Sequence, residues 1–301
     1  MKKSVSMLLA ALMLTGALAG CGSSASTSAS GTQAEDGADS GVSGAITVIS
    51  REDGSGTRGA FIELTGVEEK TADGKKVDNT TADAEIANKT DVVLTSVAGN
   101  EKAIGYISLG ALNDTVKAVK VDGAEATVDN VKAGAYKLSR PFNIATKGEP
   151  TGVAKDFISF ILSKEGQAVV TDNKYIAVND AAESFVSDGS SGQIAVGGSS
   201  SVSPVMEKLI EAYKSVNPNA SIDLQTSDST SGMTGAMDGT FAIGMASREL
   251  KNEEAAQLTG TAIALDGIAV IVNPANTIDE LSMDQIKSIY VGDITDWGDL
   301  A

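Results

Sequence analysis

Short apolar, β-branched runs alternate along the chain with segments whose apolar residues recur at helical spacing. Residues 45–49, 103–109, 142–146, 194–196, 221–225, 241–246 and 268–272 have the length and composition of strands. Residues 57–64 and 283–290 predict short helices. Over 153–171, Val153, Phe157, Ile158, Ile161 and Leu162 share one face and predict a single helix. Val205, Met206, Leu209, Ile210, Tyr213 and Val216 do the same for 203–216. Strands alternating with helices in this way predict an α/β architecture.

The first 44 residues break the pattern. Lys2 and Lys3 precede a largely apolar stretch, 7–18, that is too short to span a bilayer comfortably. Residues 1–20 therefore read as a secretory signal outside the fold. Leu18-Ala19-Gly20-Cys21 resembles the bacterial lipoprotein cleavage motif, which implies that Cys21 becomes the lipidated first residue. An ordinary signal that happens to end beside a cysteine is the alternative. Cys21 is the single cysteine, so there is no disulfide framework for it to join, and an anchor accounts for it. Residues 21–44 are rich in Ser, Ala, Gly and Thr and too poor in large apolar side chains to offset chain entropy, so they predict a flexible tether.

Charge and missing residue types then narrow the chemistry. Removing 1–20, whose only charges are Lys2 and Lys3, takes the net charge from -17 to -19. That argues against nucleic-acid binding, which depends on a basic surface. It says little about a closed anion site, because the groups that touch a ligand outweigh a screened surface. The chain has no histidine, which removes Ser-His-Asp and Cys-His catalysis and the commonest zinc ligand. No metal and no cofactor is expected. A Ser-Lys dyad stays formally open, although nothing marks a particular lysine.

Three turns share one chemistry: Ser50-Arg51-Glu52-Asp53-Gly54-Ser55-Gly56-Thr57, Gly197-Gly198-Ser199-Ser200-Ser201 and Ser227-Asp228-Ser229-Thr230-Ser231-Gly232. Each follows a strand and precedes a helix. Helix starts offer free N–H groups to an anion, glycine admits close approach, and hydroxyls add donors. In open α/β sheets ligands bind beyond the carboxyl ends of strands. Helix capping alone would explain one such turn, whereas three, one of them beside an arginine, point to an oxyanion. Arg51 supplies a forked positive charge. Asp53 is expected either to orient that guanidinium or to accept a ligand proton. A surface Arg-Asp pair is the alternative. A nucleotide P-loop fails because Ala60 follows Gly59 where lysine is required, and a calcium loop counted from Asp53 fails at Arg58 and Leu64.

The segment Ile46-Thr47-Val48-Ile49-Ser50-Arg51-Glu52-Asp53-Gly54-Ser55-Gly56-Thr57-Arg58 resembles the signature of the phosphate-binding proteins of phosphate ABC importers. Ala103-Ile104-Gly105-Tyr106, Ser139-Arg140-Pro141-Phe142, Gly244-Met245-Ala246-Ser247-Arg248-Glu249-Leu250 and Leu265-Asp266-Gly267-Ile268-Ala269-Val270 are similar to further stretches of that family. The order differs. What resembles the family's first half lies at 194–301, and what resembles its second half lies at 45–180. A circular permutation accounts for this, with old termini joined through 181–193 and new ones opened in a surface loop.

The resemblance implies a two-lobed periplasmic-binding-protein type II fold with an interlobe ligand cleft. One lobe would comprise 45–139 plus 270–301 and the other 140–269, with crossovers near 139–142 and 267–271. Carried over by position, the phosphate contacts are Arg51, Asp53, Ser55, Gly56 and Thr57 from one lobe and Ser200, Ser201 and Ser229 from the other. Ser247 stands where some members place an aspartate that accepts the proton of monobasic phosphate. The implied protein is not an enzyme. It is a monomeric lipoprotein, anchored through Cys21 outside the cytoplasmic membrane, that delivers inorganic phosphate to an ABC permease and its ATPase. A receptor for sulfate or molybdate, or a non-transport sensor or adhesion lipoprotein of the same fold, stays open as an alternative.

Overall fold

The computed structural model describes residues 42–300, so the signal segment, Cys21 and the tether up to residue 41 lie outside the described residues. The apolar runs become strands because their side chains can be buried on a sheet covered by helices. β1 (Thr47–Arg51) leads into α1 (Gly56–Thr65), and β2 (Glu85–Ala87) into α2 (Thr90–Ala98). β3 (Ala103–Ser108) is buried along its length. β4 (Ser139–Thr146) precedes α3 (Gly152–Leu162) and α4 (Lys164–Asp172). Then come β5 (Gly192–Ser199), α5 (Ser203–Val216), β6 (Ala220–Ser227), α6 (Ser229–Asp238) and β7 (Ile243–Ala246). The long β8 (Thr259–Val272) and α7 (Met283–Val291) follow.

The main strands join in the order β6-β5-β7-β4-β8-β3-β1-β2. Both ends of this path are parallel, while β7–β4, β4–β8 and β8–β3 are antiparallel. One hydrophobic core gathers Ile49, Phe61, Val97, Ile104, Tyr106 and Leu138 with Ile268–Val272, Ile286 and Tyr290. A second gathers Phe142, Phe157, Val196, Met206, Leu209, Tyr213, Met245 and Ile263. β4 and β8 pass from one core to the other: Leu138 and Phe142 belong to different cores, as do Ala264 and Ile268. Ile176, from the segment after α4, bridges to Leu265 and packs in the first core. At about 1.5–3 kcal/mol for each large apolar side chain fully buried, these clusters hold the two crossing strands firmly.

Two local features differ from the sequence expectation or extend it. The helix expected over 153–171 is two helices, because Ser163 takes an extended backbone (φ -76°, ψ 170°). Its hydroxyl donates to Phe160 O (2.6 Å) and accepts from Gly166 N (3.2 Å), closing one helix and capping the next. At the other end of the chain, Gly44–Ile46 lies against Thr295–Trp297. Ile46 N donates to Thr295 O (2.8 Å) and Trp297 N to Gly44 O (3.1 Å), with Ala45 and Asp296 forming an antiparallel bridge.

The segment between α4 and β5 is tied down by one buried carboxylate. Asp156 accepts from Asp188 N (2.9 Å), Ser187 Oγ (2.8 Å), Tyr213 Oη (2.6 Å) and Asn217 Nδ2 (3.1 Å). Burial opposes its charge, but these donors outweigh it and hold the carboxyl below the ordinary range. A depressed folded-state value stabilises the fold above the unfolded aspartate value of about 3.9 and loses that contribution as pH falls through the lower folded value. Asp156→Asn is therefore expected to lower stability at pH 7 by about 2 kcal/mol. In urea titrations the gap to wild type should close below a pH of about 4; an equal gap at pH 7 and pH 3 would contradict this.

Candidate functional site

At the carboxyl end of β1, Glu52 O accepts from Ser55 N (2.9 Å) and closes a turn whose middle residues are Asp53 and Gly54. Ser55 then caps α1, accepting from Arg58 N (3.3 Å). The turn leaves Arg51 at the end of a buried strand, and its side chain is only 2 % exposed. Tyr106 fixes its backbone: the buried phenol accepts from Arg51 N (3.2 Å), hydrogen-bonds Ser50 Oγ (2.9 Å) and stacks on Phe61. Burial pushes the Tyr106 hydroxyl up to about 12, so it stays protonated at neutral pH.

The Arg51 guanidinium donates to both Glu52 carboxylate oxygens (2.8 Å each), to Ala87 O (3.2 Å) and, through Nη2, to Ser200 Oγ (3.1 Å). Nη1 is buried and has no protein partner among the described residues. A buried charged donor left unpaired is costly, so Nη1 marks a position suited to an acceptor.

Thr57, the second residue of α1 and fully buried, is the centre of a hydroxyl cluster. Its Oγ1 lies 2.8 Å from Ser201 Oγ and 3.3 Å from Ser247 Oγ, and accepts from Arg140 Nη2 (3.2 Å). Ser199 Oγ donates to Ser247 Oγ (3.0 Å), and Ser229 Oγ accepts from Ser247 N (3.1 Å). Thr90, first residue of α2, reaches Ser201 Oγ (3.3 Å) and Ser200 Oγ (3.5 Å). The starts of α1, α2, α5 and α6 thus meet at one buried cluster, and their dipoles all favour negative charge there.

Glycine allows this crowding. A Cβ on Gly56 would approach Ser247 Oγ to 2.8 Å and Arg248 Cγ to 3.1 Å, and would run into Ser229 Oγ. Gly198, with φ +134°, and Gly232 press α6 against β5; a Cβ on Gly232 would come within 2.7 Å of Gly198 Cα.

The cluster carries little net charge. Arg51 is neutralised by Glu52, Arg140 by Asp266 (2.5 Å) and Arg248 by Glu254 (2.7 Å). Burial pushes the Asp266 carboxyl up and the Arg140 guanidinium down, and each partner opposes the shift of the other. Burial also works against Glu254, but the hydrogen bonds from Arg248 and Lys251 N win and hold it below the ordinary carboxylate range. An anion here would be held by hydroxyls, N–H groups, helix ends and one free guanidinium edge rather than by unpaired positive charge.

Of the residues singled out in the sequence, Arg51, Gly56, Thr57, Ser200, Ser201, Ser229 and Ser247 are buried and brought together, and Ser55 caps the helix that carries two of them. Asp53 is not among them. Its side chain is 98 % exposed and pairs with Arg58 (3.2 Å), while Glu52 performs the orienting of Arg51 expected of it. Arg58 in turn braces the turn, donating to Arg51 O (2.6 Å) and pairing with Asp78 (2.9 Å). Arg140, Asp266, Thr90 and Ser199 also belong to the assembly; Ser199 lies in one of the three turns and Arg140 and Asp266 in stretches similar to the family, but none of the four was among the expected contacts. Among the described residues no group of His, Cys, Asp or Glu is arranged to hold a metal, and no helix is long and apolar enough to cross a membrane.

Comparison with known proteins gives the geometry a context. Residues 25–165 and 184–301 match the PBP superfamily domain. A phosphate-binding protein PstS 2 from Streptococcus agalactiae is 50% identical over 302 residues, spanning 99% of this chain and 98% of its own length. The crystal structure of a phosphate-binding protein of a phosphate ABC transporter from Streptococcus pneumoniae superposes with a TM-score of 0.69 at 50% identity, covering 86% of this chain and all of that one. The phosphate-binding protein PstS of Bacillus subtilis is 34% identical, but over only 45% of this chain and 42% of its own.

Proposed function

The chain belongs to the PBP superfamily and, within it, to the phosphate-binding (PstS) proteins, and from that premise we propose that it captures inorganic phosphate outside the cytoplasmic membrane for an ABC importer. It is a receptor rather than an enzyme. The observation that carries this reading is the meeting of the α1, α2, α5 and α6 starts at a buried hydroxyl cluster beside the unpartnered Nη1 of Arg51. Phosphate would take contacts from Arg51, Gly56 N–H, Thr57, Ser200, Ser201, Ser229 and Ser247, with Ser55 setting the start of α1. Charge-assisted hydrogen bonds contribute about 1.5–3 kcal/mol each, so several suffice for micromolar binding, roughly -8 kcal/mol, after desolvation.

In this reading the two cores belong to two lobes, 45–139 plus 270–301 and 140–269, with β4 and β8 as the crossover strands of a hinge. Closure presents a surface to the permease and its ATPase. The segment order fits a circular permutation: Gly44–Ile46 pairs with Thr295–Trp297, and the Bacillus subtilis protein aligns over less than half of each chain. Cys21 would carry the lipid anchor, with residues 21–41 as tether to a monomeric receptor; the end of the expected tether, 42–44, is instead held on the folded part by Thr277, Asp296 and Trp297.

Saturation at about a hundred times the dissociation constant should stabilise the protein by about 2.7 kcal/mol, a rise in melting temperature of roughly 5–10 °C. No shift at millimolar phosphate would overturn the proposal. One observation favours a broader oxyanion receptor: Ser247 rather than a carboxylate stands beside Thr57 (3.3 Å), so hydroxyls must accept any ligand proton. Calorimetric competition decides, since on that reading sulfate displaces phosphate at a comparable concentration.

A further inference from the structure

The buried pair Arg140–Asp266 has no counterpart in the contacts expected from the sequence. The two residues face each other in the β4–β8 register, where both strands pass between the cores. Their side chains are 3 % and 0 % exposed. Arg140 Nη1 donates to Asp266 Oδ2 (2.5 Å) and Gly267 O (2.8 Å), which fixes the guanidinium plane. Asp266 Oδ1 accepts from Gly110 N (3.3 Å), so the carboxylate is held from the far side as well. The remaining arm, Nη2, is aimed at Thr57 Oγ1 (3.2 Å).

A hydroxyl has one proton and two acceptor sites. Arg140 occupies one acceptor site of Thr57, so the hydroxyl proton must be given elsewhere, toward the cluster. Stability alone does not explain the arrangement, because an apolar pair of similar volume usually serves a fold as well as a buried ion pair. Resting on the proposed phosphate site, we infer that Arg140 is a positioning residue: held by Asp266 on the crossover strands, it keeps Thr57 a hydrogen-bond donor to the bound oxyanion and couples those strands to the ligand.

The test is a double-mutant cycle in phosphate affinity, measured by calorimetry on the full protein. The variants are Thr57→Val, the charge-free pair Arg140→Met with Asp266→Leu, and all three substitutions together; the pair removes both buried charges, so neither is stranded. Thr57→Val is expected to weaken binding about 10- to 100-fold and the pair about 10-fold. The triple variant should bind no more weakly than Thr57→Val alone, because Arg140 acts through that hydroxyl. A merely structural pair would instead give losses that multiply, and that result, or wild-type affinity in the pair variant, overturns the inference. Arg140→Lys is the second probe should the pair variant not fold. An ammonium cannot hold Asp266, Gly267 O and Thr57 in one plane, so a loss of about fivefold or more is expected, and unchanged affinity again overturns the inference. Wild-type protein that ignores phosphate would sink the functional reading itself, an outcome separate from these.

Discussion

Arg51→Met should reduce phosphate affinity by two to three orders of magnitude while leaving the protein folded. The guanidinium keeps a buried, unpartnered N–H at Nη1, and its Nη2 already touches Ser200 Oγ (3.1 Å). Losing two charge-assisted bonds to an oxyanion costs at least about 3–4 kcal/mol, which matches a loss of two to three orders of magnitude. The fold should tolerate the change because the partner carboxylate can rehydrate: Glu52 is 21 % exposed. Methionine retains most of the apolar volume beneath Ser200, so packing is disturbed little. Calorimetry and a thermal melt without ligand separate the two effects. Affinity within threefold of wild type would remove Arg51 from the site. A collapse of the unliganded melting temperature would recast it as a structural residue.

Glu52 and Asp53 show why part of this site was legible in the sequence and part was not. Strand end, capping serine and glycine are neighbours between residues 50 and 57, so the sequence pattern alone groups Arg51, Ser55, Gly56 and Thr57 at one strand-to-helix turn, where the structure also has them. The same reasoning cannot tell which acid of Glu52-Asp53 turns inward. The answer lies in the turn closed by Ser55 N and Glu52 O, which lifts Asp53 to its exposed tip. Ser200, Ser201 and Ser229 were visible because helix starts have a local signature. Arg140 and Asp266 lie within strands, 126 positions apart, and meet only through β4–β8 pairing. Thr90 follows Lys89, which provides no side-chain cap, so the start of α2 carried no hydroxyl or glycine run to mark it. The helix break at Ser163 did have a signal, a serine three residues before Gly166, but the continuous apolar stripe concealed it.

Gly56→Ala isolates the approach of the two sides of the site, because the added methyl changes contact there and little else. Gly56 is not among the left-handed residues, and as first residue of α1 it accepts alanine without backbone strain. With the two sides of the site parted, as the hinge mechanism requires of the unliganded protein, the change should be neutral or stabilising by up to about 1 kcal/mol. In the geometry described here the new Cβ meets Ser229 Oγ, Ser247 Oγ (2.8 Å) and Arg248 Cγ (3.1 Å). Rotating the serines away would break Ser229 to Ser247 N (3.1 Å) and Ser247 to Thr57 (3.3 Å). Moving α1 instead would part Thr57 from Ser201 (2.8 Å). Both responses remove donors from an oxyanion, so affinity should fall at least about 100-fold, equivalent to roughly 3 kcal/mol, as the melting temperature holds or rises. Small-angle scattering adds a second readout: wild type should contract on adding phosphate and Gly56→Ala should not. Full affinity in a well-folded Gly56→Ala protein would mean that binding does not require α1 to press against β7 and α6, and the hinge-closure mechanism would fail with it.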